Sequence, residues 1–544
     1  MTPPNPSSLA SLLIGQDHAP ALHDGHRSTS RAALRDGAAQ AAHGLQQLGL
    51  RRGDAVAVWL PNGAAWLQLL FAAAQLGVLV VPVSTRYKAP EIAHLLTVSR
   101  ARLLVFASRF LDQHNTPVAQ HLLAEVATLE QVLAVDDPSG LMVFADAGLA
   151  AAARSPLIAL DQPTGQPADL LCCFSTSGTT GQPKLAAHDQ ASIARHASQV
   201  AGGLGLRSGD AMLCALPLFG VFGFITALAA LAGGASAVLM AVFDAPAAAA
   251  AVARHQISHA VGADAMLGPI LQVADVADAD LRSLRRLVMA DFAGLSLHVA
   301  TQADALGIAC SGTYGSSEVF SLVSLQDWSA PVAQRALAGG TALDPQITIR
   351  VVHPKTGQAV ADGEAGELQL RGPNVLAQYL NNPGATAQAF TADGWFRSGD
   401  LASAQGQHFH YLARLGDSLR LRGYLVHPAE IEHALMRHPA VALAQVVGVA
   451  VPGVGDQAVA FVVLQPAGPG GAGAPADLPA GPPAALPAAL RDHCRQTMAA
   501  YKVPQQVVVL AVMPTIDGPN GVKIQKRVLR EMAAALQNAP AQGL

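Results

Sequence analysis

Charge is scarce in this chain. Asp, Glu, Lys and Arg make up only 13% of its 544 residues, and 34 basic residues stand against 38 acidic ones. That excludes the basic surplus by which proteins take nucleic acid or anionic membranes as their main partner. Cysteine is scarce too. Cys172, Cys173, Cys214, Cys310 and Cys494 are odd in number and form no C-x-x-C, so neither a disulfide framework nor a zinc site is expected. A reducing, cytoplasmic setting fits. No Lys or Arg precedes Arg27 and no apolar core of a leader comes before it, so no signal peptide is expected. Ala55–Thr85 and Ala211–Phe243 lack any charge, and each exceeds the roughly 20 residues that cross a bilayer. Pro61-Asn62-Gly63 interrupts the first, and Pro217, Gly220, Gly223 and Gly233-Gly234 interrupt the second. Each then reads as strand, helix, strand, because parallel strands covered by helices on both faces are continuously apolar. No membrane span is expected.

What is abundant is hydrophobicity, 51% of the chain. The length exceeds one core and implies two or more domains. An amphipathic helix over 31–47 ends at Gly49 and Arg52-Gly53-Asp54. Strands at Ala55–Leu60, Val78–Val83 and Arg102–Phe106 alternate with helices at Ala64–Leu76 and Pro90–Val98. Leu170–Phe174, Ala211–Leu216, Ile257–Val261, Leu287–Met289 and Ile308–Ser311 read as further strands, with a helix over Asp189–Leu204. This alternation predicts an α/β fold with mixed, mostly parallel sheets. From Ile347 the segments Ile347–Val352, Gly366–Arg371 and His408–Leu412 predict a small antiparallel β section. Pro428–His438 (helix) and Val441–Ala450 and Ala458–Gln465 (strands) predict a small α+β C-terminal unit. Residues 466–487 are Pro, Gly and Ala without periodicity and read as a loop. A helix over Leu490–Ala500 and a strand over Val507–Val512 follow, and Gly521–Gln537 reads as mainly helical and basic.

One stretch organises the rest. Ser175 to Lys184 reads S-T-S-G-T-T-G-Q-P-K directly after an apolar strand. Gly178, Gly181 and Pro183 break regular structure, and the hydroxyls, close backbone N–H groups and Lys184 suit a polyphosphate. A Ser/Gly linker has similar composition but rarely follows such a strand. The Walker pattern fails, because Gly178 and Gly181 are too close and Lys184 does not follow the second glycine.

Four further motifs follow in order. They are Tyr314-Gly315-Ser316-Ser317-Glu318, Gly394-Trp395-Phe396-Arg397-Ser398-Gly399-Asp400, Arg414 with Asp417 and then Gly423 and Pro428-x-Glu430-Ile431-Glu432, and Lys523-Ile524-Gln525-Lys526. With the loop, the chain resembles the adenylate-forming superfamily of acyl-CoA synthetases, peptide-synthetase adenylation domains and firefly luciferase. The resemblance implies an ATP-dependent carboxylic acid–CoA ligase working through an acyl-adenylate. It implies an N-terminal adenylation domain over 1–414 and a small mobile C-terminal domain over 415–544. Ser175, Thr176, Ser177, Gly178, Thr179, Thr180, Gly181 and Lys184 would embrace the leaving phosphates, with Tyr314 and Gly315 also at the nucleotide. Glu318 would bind Mg2+ with Ser317 beside it. Asp400 and Arg414 would hold the ribose, and Lys523 would bridge the acyl carboxylate and the α-phosphate. Gly416 would be the hinge, and Gly423 and Tyr424 would face CoA. The partners implied are a small carboxylic acid, ATP and CoA, and a homodimer stays open.

The chain also departs from the pattern. Gly220 stands where the family has His, Gly312 where it has Asn or Gln, and Asp264 where Pro is common. Met289-Ala290-Asp291-Phe292 lacks the usual G-G-A-P turn. Gly416 replaces Asp or Lys. Gly521-Val522-Lys523 carries one extra residue, which leaves Lys526 as the alternative lysine. By family position the acyl pocket would hold Gly220, Val221, Phe222, Asp291, Thr313 and Phe320. Their mainly apolar character points to a medium-chain, cyclic or aromatic monocarboxylate. Two other readings stay open: an acyl-AMP ligase that loads a carrier protein, and a degenerate nucleotide-binding member.

Overall fold

A computed structural model describes residues 8–15, 17–142, 164–176, 183–273, 280–415, 419–421, 424–426, 428–451, 455–465, 485–518 and 521–538. The two uncharged stretches form strand, helix, strand. Helix Ala64–Leu76 is buried along nearly its whole length, as is helix Val221–Ala232. Both belong to one core with strands from two sheets. Such helices are hydrophobic all round because each needs cover on every side. Among the described residues no helix is long and apolar enough to cross a membrane.

One sheet has seven strands, ordered Gln378–Tyr379, Lys184–Asp189, Leu170–Thr176, Leu79–Pro82, Ala55–Trp59, Leu103–Ala107 and Gln131–Val135. It is parallel from Leu170–Thr176 onward, and Lys184–Asp189 is antiparallel to both of its neighbours. The other sheet has thirteen strands. Its parallel half carries Ser236–Leu239, Ala211–Cys214, His259–Ala263, Arg286–Ala290 and Ala309–Tyr314. The antiparallel section expected from Ile347 is not separate. Ser324–Leu325 and Gly339–Ala342 stitch it to strand Ala309–Tyr314. These connectors escape the pattern because one is only two residues long and the other begins with two glycines.

The C-terminal part has its own five-stranded sheet around Val441–Val451 and Gly455–Leu464. The loop expected over 466–487 is shorter, because helix Ala485–Thr497 takes its last three residues, and 466–484 lie outside the described residues. The mainly helical reading of Gly521–Gln537 is corrected as well. Gly521–Ile524 is a strand paired with Thr515–Gly518, and the helix starts at Lys526. Val522 and Ile524 flank Lys523 at a spacing of two, the period of a strand.

All five cysteines are free and buried. Burial pushes the Cys172, Cys173 and Cys214 thiols far up and Cys494 to about 11.

Gly340 marks a tight point of the stitch. Its φ is +111°, and a Cβ there would lie 2.1 Å from the Leu325 oxygen. Gly363, at φ +84°, has open space around it. We expect Gly340→Ala to cost about 2–4 kcal/mol of stability and Gly363→Ala about 1. Melting curves of the two variants against the parent check this, and equal losses would sink the steric account.

Candidate active site

Parallel strands bring the expected residues into one row. Ala211–Cys214, His259–Ala263, Arg286–Ala290 and Ala309–Tyr314 lie side by side. Their carboxyl ends lead into Leu216–Gly220, Asp264, Asp291-Phe292 and Tyr314–Glu318 respectively. Ligands of open α/β sheets bind beyond such ends.

The loop read from Ser175 to Lys184 is the end of a hairpin. Strands Leu170–Thr176 and Lys184–Asp189 pair antiparallel, with Thr176 opposite Lys184. Ser175, Thr176 and Lys184 therefore stand on strands at its mouth, a correction to the purely irregular reading. Ser177, Gly178, Thr179, Thr180 and Gly181 lie outside the described residues. Ser175 and Ser317 share a pocket with Tyr87, Phe174, Phe219, Gly220 and Val221. Phe222, Thr313 and Phe320 do not line it. Phe222 and Phe320 are core residues, and Thr313 donates its hydroxyl to the Ser324 oxygen at 2.7 Å.

The backbone after Glu318 is strained. Phe320, Ser321 and Leu322 have φ of +62°, +55° and +42°, a conformation that costs a non-glycine residue about 1–3 kcal/mol. Surrounding contacts hold it. Ser321 N–H donates to the Ser316 oxygen at 2.9 Å. A Cβ on Gly315 would lie 2.4 Å from the Ser321 Cα, so this turn needs glycine there. The buried His188 and His196 contact the Ser317 and Ser321 oxygens through Nε2, each at 2.8 Å. A carbonyl only accepts, so each Nε2 carries the proton. Both rings meet Phe320 edge to face, at 4.6 and 5.8 Å. Burial pulls both histidines down to about 4, so they stay neutral. Sequence reasoning missed this pair, because a lone histidine on an apolar element carries no signal of its own.

Asp400 lies in strand Phe396–Gln405, opposite Arg414. Tyr314 donates its hydroxyl to Asp400 Oδ2 at 2.5 Å, and Arg414 Nη1 lies 3.1 Å from Oδ1. Burial and the Asp400 charge hold the Tyr314 phenol far above its ordinary range. Burial opposes the Arg414 charge, but Asp400, Tyr314, Tyr411 and Glu318 outweigh it and raise its pKa. Glu318 is half-buried, and Tyr379 donates its hydroxyl to Oε1 at 3.0 Å. The Lys184 ammonium lies 5.0 Å from the centre of the same Tyr379 ring. Tyr379 was not singled out in the sequence.

The C-terminal hairpin reaches Phe292 and Arg414. Lys523 Nζ lies 4.9 Å from the centre of the Phe292 ring, and burial and then the Arg414 charge lower its pKa. Lys526 instead stands 3.6 Å from Glu432. Of the two lysines, Lys523 is the one near Arg414 and Phe292. Gly416 and Gly423 lie outside the described residues, and Tyr424 forms part of strand Tyr424–Val426.

The Pro-to-Asp departure creates a carboxyl pair. Asp264 accepts from the backbone N–H of Ala265, Phe292, Ala293 and Leu295. It also meets Asp291 side chain to side chain. Burial and then the Asp291 charge take Asp264 to about 7, and the protein packed around it raises Asp291 as well, although part of that residue reaches solvent. Glu432 adds like charge to Asp291. The pair titrates as a unit.

Near this row of strand ends stand phosphate-type hydroxyls, a half-buried carboxylate, a braced Asp and a lysine from the last hairpin. The chain belongs to the AMP-binding enzyme family. That family matches residues 15–380, and the AMP-binding enzyme C-terminal domain matches 430–516. The chain is 32% identical to a feruloyl-CoA synthase of Amycolatopsis sp, over 92% of this chain and 93% of that one. It is 30% identical to 4-coumarate–CoA ligase 1 of Oryza sativa subsp. japonica, over 76% of this chain and 74% of the relative. The anthranilate CoA ligase AuaEII in complex with anthranoyl-AMP superposes with a TM-score of 0.82 at 25% identity, covering 97% of this chain and 98% of that one. The protein is an AMP-forming acid–thiol ligase that uses ATP and CoA.

The carboxyl pair gives a pH signature. A carboxyl with a raised folded pKa stabilises the fold fully below the unfolded value and loses that contribution as pH rises through the folded value. For Asp264 the loss sets in above the ordinary value of 3.8 and is complete at about 7. We expect the melting temperature to fall between about pH 4 and about pH 7, and Asp291→Asn to flatten that fall by leaving Asp264 alone with its N–H donors. Calorimetry across this range checks it, and an Asp291→Asn profile parallel to the parent's would refute it.

Proposed function

We propose that this chain activates a medium-chain, cyclic or aromatic monocarboxylate at the row of strand ends and transfers the acyl group to CoA. The observation that carries the reading is Lys523. This residue of the last hairpin lies against Phe292 and near Arg414, whose charge also meets Asp400 and Glu318. A carboxylate oxygen attacks the α-phosphorus of ATP, the bond to the β-phosphate oxygen breaks, and pyrophosphate leaves. Negative charge accumulates there, and cations or donors fixed beforehand stabilise it. Lys184, with Ser175 and Thr176, faces the leaving phosphates. Lys523 steadies the attacking carboxylate. Asp400 and Arg414 receive the ribose hydroxyls.

Glu318 suits Mg2+. It offers a hard carboxylate oxygen, and Mg2+ takes one or two protein carboxylates together with substrate phosphates and water. When bound, Mg2+ neutralises charge on those phosphates. Ser317 stands beside it.

In the second step the CoA sulfur attacks the acyl carbonyl and AMP departs. The division near 414–417, with 1–414 as the adenylation domain and 415–544 as the mobile one, supplies the rearrangement. Gly416 is its hinge, with the backbone freedom a hinge uses. Gly423 and Tyr424 face the pantetheine.

The substrate class rests on the mainly apolar residues at the expected acyl positions, of which Gly220 and Val221 line, with Phe174 and Phe219, a small void of about 10 Å3 whose described lining has no cation for a second carboxylate. The named substrates of the relatives, feruloyl and 4-coumarate, agree with an aromatic acid. The protein acts in the cytoplasm, and a homodimer is compatible with it.

Pyrophosphate release with a panel of aromatic, cyclic and fatty acids, with and without CoA, tests the reading. Acid-dependent release with thioester supports it. Adenylate without thioester points to a carrier protein as acceptor, and ATP binding without release points to a degenerate member. Lys523→Ala should slow adenylation about 100-fold or more, yet leave thioester formation from supplied acyl-adenylate nearly intact. Equal losses in both steps would remove Lys523 from its role. Gly220→His should shift preference toward smaller acids, and an unchanged acid profile would show that Gly220 does not set the space.

A further inference from the structure

Tyr379 touches two opposite charges at once. Its hydroxyl donates to Glu318 Oε1 at 3.0 Å, and its ring lies 5.0 Å from the Lys184 ammonium. A phenol suits both contacts, because the ring face attracts a cation and the O–H seeks an acceptor. The side chain is well fixed. Tyr379 is only 7% exposed, and it pairs with Ala186, two residues after Lys184 on the same strand. Its N–H donates to Thr386 Oγ1 at 3.0 Å. The segment before it grips the backbone around Glu318. Leu376 N–H donates to the Glu318 oxygen, and Asn374 Nδ2 donates to the Val319 oxygen, each at 2.7 Å. The strand of Lys184 and the turn of Glu318 thus meet through residues 374–379.

Resting on the adenylation reading, we propose that Tyr379 is a positioning residue of the active site. Its hydroxyl fixes the Glu318 carboxylate and its ring fixes the Lys184 ammonium. The metal-facing anion and the phosphate-facing cation are thereby held apart. Without the ring between them, Glu318 and Lys184 would be free to neutralise each other and to leave both the metal and the phosphates. The phenol serves only as a donor, because burial and the Glu318 charge push its ionisation far above neutrality.

Tyr379→Phe and Tyr379→Leu separate the two contacts, since Phe keeps the ring and loses the hydroxyl. Two measurements apply to the full-length chain. The first is Mn2+ binding in the presence of ATP and without any acid, followed by electron spin resonance of free Mn2+. The second is acid-dependent pyrophosphate release as a function of Mg2+ and of ATP. Tyr379→Phe should weaken Mn2+ binding and raise the Mg2+ needed for half-maximal rate by about tenfold, the scale of one hydrogen bond to a charged group. Its melting temperature and its KM for ATP at saturating Mg2+ should stay near the parent's. Tyr379→Leu should in addition raise the KM for ATP by about threefold or more through Lys184. Adding Tyr379→Phe to Glu318→Gln should change nothing further, because the hydroxyl acts through that carboxylate. Parent-like Mn2+ and Mg2+ responses in Tyr379→Phe overturn the proposal. So does a Tyr379→Phe effect that is equally large in the Glu318→Gln background, whatever the stability of the variants. A parent that releases no pyrophosphate with any acid would overturn the adenylation reading instead, and the Mn2+ titration would still report on Tyr379 because it needs no acid.

Discussion

Two helices without a charged residue, Ala64–Leu76 and Val221–Ala232, must be hidden from water on every side, and a single sheet cannot do that. Placing them in one core with strands of both sheets satisfies the requirement. At about 25 cal/mol per Å2 of buried apolar surface, this is the largest favourable term available to the fold. The same core carries the site. Trp66 meets Phe224, Phe224 meets Phe174 and Phe320, and Phe320 lies between His188 and His196. An apolar contact path therefore runs from the middle of the molecule to the carbonyls of Ser317 and Ser321. Strain in the turn after Glu318 persists because packing over-determines it.

Much of the architecture was legible. Uncharged runs broken by Pro and Gly gave the strand–helix–strand units, and the alternation of elements gave parallel sheets. Short elements were not legible. Ser324–Leu325 is too brief to show a period, and Gly339-Gly340 has no side chains to show one. Yet those strands join the expected small antiparallel β section to the parallel sheet as one continuous sheet. The closing hairpin was hidden by the strong basic, amphipathic helix that follows it.

Motif residues were legible where the chemistry demands a rare residue type at a fixed place. Glu318, Asp400 and Lys523 all stand near Arg414. Their supports were not legible. His188, His196 and Tyr379 act through partners remote in sequence, such as Ser321, 125 residues from His196. No local pattern encodes such a pairing. Asp264 and Asp291 stood out only as departures. Their meaning as a pair depends on two adjacent strands ending side by side.

The burial of the cysteines bears on chemical fidelity. An acyl-adenylate is an electrophile that any thiolate in reach can capture. Cys172, Cys173 and Cys214 lie nearest in sequence to the strand ends of the site, but each is sealed in the core and held as a thiol. Cys310 and Cys494 are likewise buried and shifted upward. Buried thiols held protonated are poor nucleophiles, so none of these five competes readily with the sulfur that CoA brings.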